Sequence, residues 1–276
     1  MPQSLRWFLT ELERAGELIR VAEPVSLRYE LSALLASADD GPALLFEHVV
    51  GSELPVVGGV MGSRARIAAG VGVPVEELQE RIVAAVHEPL SPRALDGDAP
   101  CQEVCVEDPD LAQLPIPWFF EHETGPYVTA GAIAARDPET GAANLSIARL
   151  KPLGGSRALA GIAPNHHLAV LGRAAAARGE PLPIAVTIGN HPAIVLASCL
   201  YLELGADELE CAGGLLGEPV QVALTGHGLA VPAHCELVLE GLLDFRELVE
   251  EGPVSEFHGM YEDYGPGAVV TFERLT

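Results

Sequence analysis

Residues 89–117 limit what this chain can fold into. The stretches PLSPRALDGDAP and DPDLAQLPIP are dense in Pro, Asp and Gly, which interrupt helices and strand ladders, so no long regular element can run through them. Only QEVCVE, at 102–107, has the pattern of a short strand. The chain therefore reads as two units joined by a Pro-rich connection, 1–105 and 106–276.

The first unit alternates helix and strand patterns. Ser4 can cap a helix in which Leu5, Phe8, Leu9 and Leu12 share a face, and Gly16 can end it. ELIRVAEPV, PALLFEHVV and LPVVGGVM read as strands, and Glu30 to Ala38, SRARIAAGV and PVEELQERIVAAVHE as helices, with Pro74 near the first turn of the last. That alternation predicts a small α/β unit. GGVMG at 58–62 lacks the spacing of a nucleotide-binding loop and reads as a tight turn or close strand packing.

The second unit is richer in strands. YVTAGAIAA and ANLSIARLKPLG, separated by DPETG, predict a hairpin. SRALAGIA, PIAVTIG, PVQVALTGHGLAVPA and GAVVTFERL continue the strand pattern, and HHLAVLGRAAAARG predicts a helix ended by Gly179. Frequent Gly suits a compact barrel with close backbone approaches.

Composition narrows the partners. Hydrophobic residues make up 49% and aromatics only 5%, so the core must be mainly Ala, Val, Leu and Ile. Lys plus Arg is 16 against 39 Asp plus Glu, a net charge of −23, which argues against nucleic acid and against an anionic membrane surface. A few local donors can still hold an anionic cofactor. No apolar run approaches the ~18–20 residues of a membrane span, and the amphipathic start MPQSLRWFLTELERAG is not a signal peptide. With five cysteines and no zinc-ligand spacing, the chain is expected to be cytoplasmic with reduced thiols.

Several residues suit chemistry without declaring it. In NLSIAR, period two puts Asn144, Ser146 and Ala148 on one face and Leu145, Ile147 and Arg149 on the other; alone, Arg149 reads as a surface charge. His166 and His167 precede an apolar helix, a good place for a phosphate or simply for a capping His. Glu208 and Glu210 lie in ADELE, a solvated turn on its face. Asn, His and Glu together suit a hard cation such as Mn²⁺ or Mg²⁺. In LVEEGPVSEFHG, Gly252-Pro253 breaks the helix read there and can turn Glu251 and Glu256 toward one point. Paired carboxylates beside an Arg suit proton transfer; an acidic loop is the bland alternative.

In order along the chain, GPALLFEHVVGSELPVVGGVMGSR, LPIPWFFEHETGPYVTAGAIAARDPETGAANLSIAR, VPAHCELVLEG and EGPVSEFHGMY resemble the UbiD family of prenylated-FMN-dependent decarboxylases. The resemblance implies an α/β (α+β) fold in which a small α/β domain precedes a split β-barrel that binds prenylated FMN. It implies that Asn144, His166 and Glu208 hold Mn²⁺ or Mg²⁺ at the cofactor phosphate, and that K⁺ sits near Ser198 and Glu208. Thr129, Asn144, Ser146, Ile147, Ala148, Arg149, Asn165 and His166 would contact the cofactor. Arg149, Glu251 and Glu256 match the family's catalytic set: Glu256 is the acid–base, and Arg149, paired with Glu251, orients the substrate carboxylate. The implied reaction is reversible, non-oxidative decarboxylation of an aromatic or α,β-unsaturated acid.

Two features differ from the family pattern. Family members continue past the point corresponding to Thr276 into a further α/β domain that closes the pocket and often makes the dimer. A second subunit supplying that domain, a homo-oligomer contact, and a non-catalytic cofactor-binding role are the expectations this leaves. In the last motif, Val254 and Ser255 stand where the family commonly has Phe and Gly, and Ser255 is expected to restrict the backbone beside Glu256.

Overall fold

The structure, a computed structural model, describes residues 2–256 and 258–276. In α1 (Leu5–Arg14), the Ser4 hydroxyl accepts from the Trp7 backbone N–H at 3.2 Å, and Phe8 and Leu12 are buried. Gly16, at φ +73°, turns the chain into β1 (Leu18–Val21). α2 (Glu30–Ser37) leads to β2 (Ala43–Phe46) and β3 (Val56–Gly58), and the three strands form one sheet, β1 parallel and β3 antiparallel to β2. The GGVMG run is a close-packing point: a Cβ on Gly58 would lie 2.5 Å from Leu35 Cδ2. α3 (Arg64–Gly70), capped by Ser63, and α4 (Leu78–His87) complete this part.

In the connection, β4 (Arg93–Ala94) was not foreseen, and the strand expected at 102–107 shortens to β5 (Val106–Glu107), because residues 100–102 form a single 3₁₀ turn. There follow β6 (Ala132–Arg136), β7 (Ala143–Ile147), β8 (Arg149–Gly154), β9 (Arg157–Gly161), α5 (His167–Ala177) and β10 (Leu182–Ile188). Next come α6 (Pro192–Ser198), α7 (Glu208–Leu216), β11 (Gln221–Leu224) and β12 (Ala230–Pro232). The chain then forms β13 (Leu237–Glu250), β14 (Pro253–Ser255), β15 (Tyr261–Asp263) and β16 (Pro266–Leu275).

The main sheet is antiparallel in the order β7-β6-β10-β13-β16-β9-β8, with β5 also paired to β16. Its first and last strands, β7 and β8, are consecutive in sequence with only Ala148 between them. The sheet must therefore curl until its ends meet in one run of chain, 143–154. This run pairs with β6 through its first half and with β9 through its second. Among the described residues no ladder joins β7 to β8, so the curl is not a closed barrel. The mixed α/β class is as expected.

Both faces of the sheet are buried. Ile133 and Ala135 of β6 join a cluster with Leu150, Ala160, Ile184, Leu243 and Val270, drawn from strands all round the curl, which α5 enters with Leu168, Leu171 and Ala175. Ala132 and Ala134 face a second cluster with Leu145, α6, α7 and residues Ala68, Leu78 and Ala85 of α3 and α4. Small side chains let these layers approach: a Cβ on Gly214 of α7 would lie 2.8 Å from the Ala85 Cα of α4.

Two sequence readings are corrected. The helix read in LVEEGPVSEFHG is absent: Leu237–Glu250 is a strand, because pairing with β10 and β16 overrides the helix preference of a Leu- and Glu-rich run. Ser255 has ordinary extended backbone, paired to Tyr261, so the replacement of Gly imposes no restriction there.

Candidate active site

The run 143–154 sorts the site by strand parity. Asn144 and Ser146 pair with Ala135 and Ile133, whose side chains face the inner cluster, and Ala148 joins that same cluster. Arg149 and Lys151 have the opposite parity and leave the curl on its other side.

On the Asn144 side, α7 begins at the open edge of β7. Asp207 caps the helix, accepting from the Leu209 N–H at 2.8 Å, and this delivers Glu208 into the core at 2% exposure. ADELE is thus a buried helix start, not a solvated turn. The Glu208 carboxylate accepts from the Leu145 backbone N–H at 2.7 Å and from Asn144 Nδ2 at 3.2 and 3.4 Å. Asn144 Oδ1 in turn accepts from Ser146 Oγ at 3.1 Å. Burial pushes the Glu208 carboxyl up to about 7, and the Leu145 N–H opposes the rise.

The other proposed ligands stand apart in hydrogen bonding. His166 caps α5, its Nδ1 accepting from the Leu168 N–H at 3.4 Å, and burial lowers its pKa. Ser198 ends α6, and its Oγ donates to the Val195 carbonyl at 2.8 Å. No hydrogen bond joins His166 or Ser198 to Asn144 or Glu208 among the described residues, nor do three or more His, Cys, Asp and Glu form a metal-holding group there. Of the expected cofactor contacts, Ala148 is buried, Ile147 half-buried, and Thr129 and Asn165 exposed.

On the Arg149 side the expected set does come together. Arg149 Nε and Nη2 donate to the two carboxylate oxygens of Glu251 at 2.6 and 2.7 Å, a bidentate pair with the Glu251 side chain 1% exposed. The guanidinium lies over the Tyr264 ring, 4.6 Å from its centre, and the Tyr264 hydroxyl donates to Glu256 Oε1 at 2.8 Å. Tyr264 thus bridges Arg149 and Glu256. Gly161, paired across the ladder with Arg149, makes room for the pair: a Cβ there would lie 2.6 Å from Arg149 Nε and 2.8 Å from Glu251 Oε1.

The surrounding residues were not foreseen. Buried Lys151 donates to the Glu251 backbone carbonyl and, at 2.8 Å, to Thr124 Oγ1. Buried Glu123 accepts from Ser255 Oγ at 2.9 Å and from its N–H at 3.3 Å. Burial, and then the charge of Glu251, push the Tyr127 phenol up to about 12, so it stays protonated. Only Lys151 had a readable signal, since it lies two residues beyond Arg149 on one strand face. Of the EGPVSEFHGMY motif, Phe257 lies outside the described residues.

A curled antiparallel sheet between layers of helices thus carries a buried Arg–carboxylate pair at its seam. Residues 93–276 match the 3-octaprenyl-4-hydroxybenzoate carboxy-lyase Rift-related domain, and residues 9–86 match the N-terminal domain of the same proteins. The chain belongs to the UbiD family. It is 35% identical over 270 residues to anhydromevalonate phosphate decarboxylase of Methanosarcina mazei, covering 98% of this chain and 62% of that protein. It is 34% identical to an uncharacterized protein of Rhodospirillum rubrum, covering 97% and 59% respectively. The chain thus spans about three fifths of the length of these relatives. Among solved structures it superposes on the UbiD-class enzyme HmfF from Pelotomaculum thermopropionicum in complex with prFMN. The TM-score is 0.95 at 40% identity, over 99% of this chain and 65% of that one. The vanillic acid decarboxylase of Sedimentibacter hydroxybenzoicus in closed form gives 0.94 at 29% identity, over 100% and 62%.

Proposed function

We propose that this chain is the flavin-binding part of a UbiD-type decarboxylase that uses prenylated FMN to remove CO₂ reversibly, without oxidation, from an aromatic or α,β-unsaturated carboxylic acid. The observation that carries this reading is the bidentate Arg149–Glu251 pair with Glu256 tied to it through Tyr264. HmfF binding prFMN, at 40% identity, supports the cofactor.

The residues fit a cation-anchored flavin phosphate. Asn144 and Glu208 are buried and joined through the Asn144 amide N–H, each has an oxygen able to ligate a hard cation, and burial favours the neutral form of His166 that a ligand needs. Asn144, His166 and Glu208 would hold Mn²⁺ or Mg²⁺, and Ser198 with Glu208 would hold K⁺. Thr129, Ser146, Ile147, Ala148 and Asn165 would line the flavin. When bound, prenylated FMN supplies an electron sink for the bond that CO₂ leaves behind. Arg149, held flat by Glu251 and stacked on Tyr264, orients the substrate carboxylate. Glu256 delivers a proton to the carbon that lost CO₂ and recovers one from solvent through its half-exposed position. Residues 1–105 serve as the N-terminal domain and 106–276 as a split-barrel cofactor domain. A cytoplasmic location is part of this proposal; no described helix is long and apolar enough to cross a membrane. The dimeric form of HmfF and the two-component vanillic acid decarboxylase support an oligomer or a partner subunit.

The test is co-expression with a flavin prenyltransferase in the presence of Mn²⁺ and K⁺, followed by an absorbance spectrum and native mass. Bound prenylated FMN that is lost in Asn144→Ala, together with CO₂ release abolished in Glu256→Gln, supports the reading. No bound flavin, or turnover unchanged in Glu256→Gln, overturns it.

A further inference from the structure

We infer that Lys151 is a positioning residue, which holds the backbone carbonyl of Glu251 and thereby fixes the turn that aims Glu256; its functional half rests on the decarboxylase reading. Lysine is seldom fully buried without a carboxylate partner. Lys151 is 7% exposed, yet its ammonium group meets no carboxylate oxygen within ion-pair distance among the described residues. It donates instead to the Glu251 carbonyl and to Thr124 Oγ1, and Thr124 Oγ1 donates to that same carbonyl at 2.7 Å. Burial accordingly lowers the Lys151 pKa, and the charge of Glu251 opposes the drop.

Two alternate residues of β8 thus grip the two ends of one residue. Arg149 takes the carboxylate of Glu251 and Lys151 takes its carbonyl. The grip matters because the next residue, Gly252 at φ +79°, lies in the turn between β13 and β14. Glycine rotates freely unless something restrains it, and here Thr124 packs against it: a Cβ on Gly252 would lie 2.7 Å from Thr124 Cγ2. Beyond the turn, Glu123 holds Ser255, the neighbour of Glu256, through backbone and hydroxyl. With the lysine gone, the buried carbonyl keeps only Thr124, and the turn can rotate about Gly252. Glu256 is then displaced relative to Arg149, while the Arg149 side chain stays to bind a carboxylate.

The experiment compares wild type, Lys151→Met, Lys151→Gln and Thr124→Val as prenylated-FMN-loaded proteins, with 4-hydroxybenzoic and cinnamic acid as probes. Crystal structures of the cofactor-free variants accompany the kinetics. Met keeps the length of the stem and removes the donor; Gln restores a donor with shorter reach. Misplacement by about 1 Å can cost on the order of 100-fold in rate. The expected result is a kcat lower by about 10–100-fold in Lys151→Met with KM changed by less than about 3-fold, and partial recovery in Lys151→Gln. In the crystal, the 251–256 turn should be displaced in Lys151→Met. An unmoved turn with unchanged kcat overturns the inference, as does a loss of thermal stability alone. If Lys151→Met does not fold, Lys151→Gln decides: lower kcat at intact KM with a displaced turn supports the role, and unchanged kcat with an unmoved turn refutes it. Should wild type release no CO₂ from either acid, the decarboxylase reading fails on these probes, and the crystal structures still decide whether Lys151 sets the turn.

Discussion

Gly161→Ala tests the seam of the sheet with a single methyl group. Gly161 lies in β9 with a backbone any residue can adopt, so alanine meets no conformational barrier. On that ground alone the change would stabilise by about 0.4–1 kcal/mol through the unfolded chain. The new Cβ, however, would lie 2.6 Å from Arg149 Nε, 2.8 Å from Arg149 Cζ and 2.8 Å from Glu251 Oε1. If the pair shifts as a unit, overpacking costs about 1–3 kcal/mol. If it breaks, Glu251 is left buried and unpaired at about 3–5 kcal/mol. The net expectation is a loss of about 1–4 kcal/mol, with a melting temperature lower by about 2–4 °C per kcal/mol. Urea unfolding followed by the fluorescence of Trp7 and Trp118 measures it. The same alanine added to an Arg149→Ala/Glu251→Ala double variant meets open space and should cost nothing. Equal stability of wild type and Gly161→Ala, or a penalty that persists in the double variant, would refute the close-approach argument.

Other expectations follow from individual contacts. His191 is buried, its Nδ1 accepts from the Ala193 N–H, and burial lowers its pKa from 6.5 to about 4. The unfolded imidazole therefore takes up a proton that the folded one refuses. Stability is full above about pH 6.5 and falls, by about 3 kcal/mol, as pH drops toward 4. His191→Asn keeps a capping acceptor and cannot charge, so its urea midpoint should vary less over that range. Ser255→Ala removes one hydrogen bond to buried Glu123 and should cost about 1–2 kcal/mol in the same assay. Arg149→Lys cannot make two parallel bonds to Glu251, so kcat/KM for CO₂ release should fall by at least about 10-fold, seen in steady-state kinetics. Ser4→Ala should destabilise by about 1 kcal/mol through the α1 cap, measured by thermal melting.

Local chemistry was legible where the sequence carries its own punctuation. Ser4 and Gly16 bracket α1, and Asp137 with Gly141 shapes the loop of the β6–β7 hairpin through its own backbone contacts. Helices α6 and α7 escaped because their apolar residues surround them: buried between α3, α4 and the sheet, they show no polar stripe for a periodicity to reveal. Glu208 was hidden for a related reason, since a glutamate within ADELE looks solvated until the Asp207 cap turns it inward. Residues 237–250 misled through their Leu and Glu content, which central pairing overrides. At the site, strand parity in 144–149 was readable. Arg149 and Glu251, however, are 102 residues apart, and only resemblance to a family could join them beforehand.

The run 143–154 is a ruler as well as a strand. Asn144 and Arg149 are separated by an odd number of steps, which is why one side chain faces the inner cluster and the other the Glu251 turn. A single residue inserted between them would exchange every downstream face, turning Arg149 and Lys151 into the apolar cluster of Leu150 and expelling Leu150 from it. The same insertion in the loop at 137–142 would be absorbed without consequence for either half. The spacing of NLSIAR is therefore fixed by the geometry of the seam, independently of which ligand the two faces come to share.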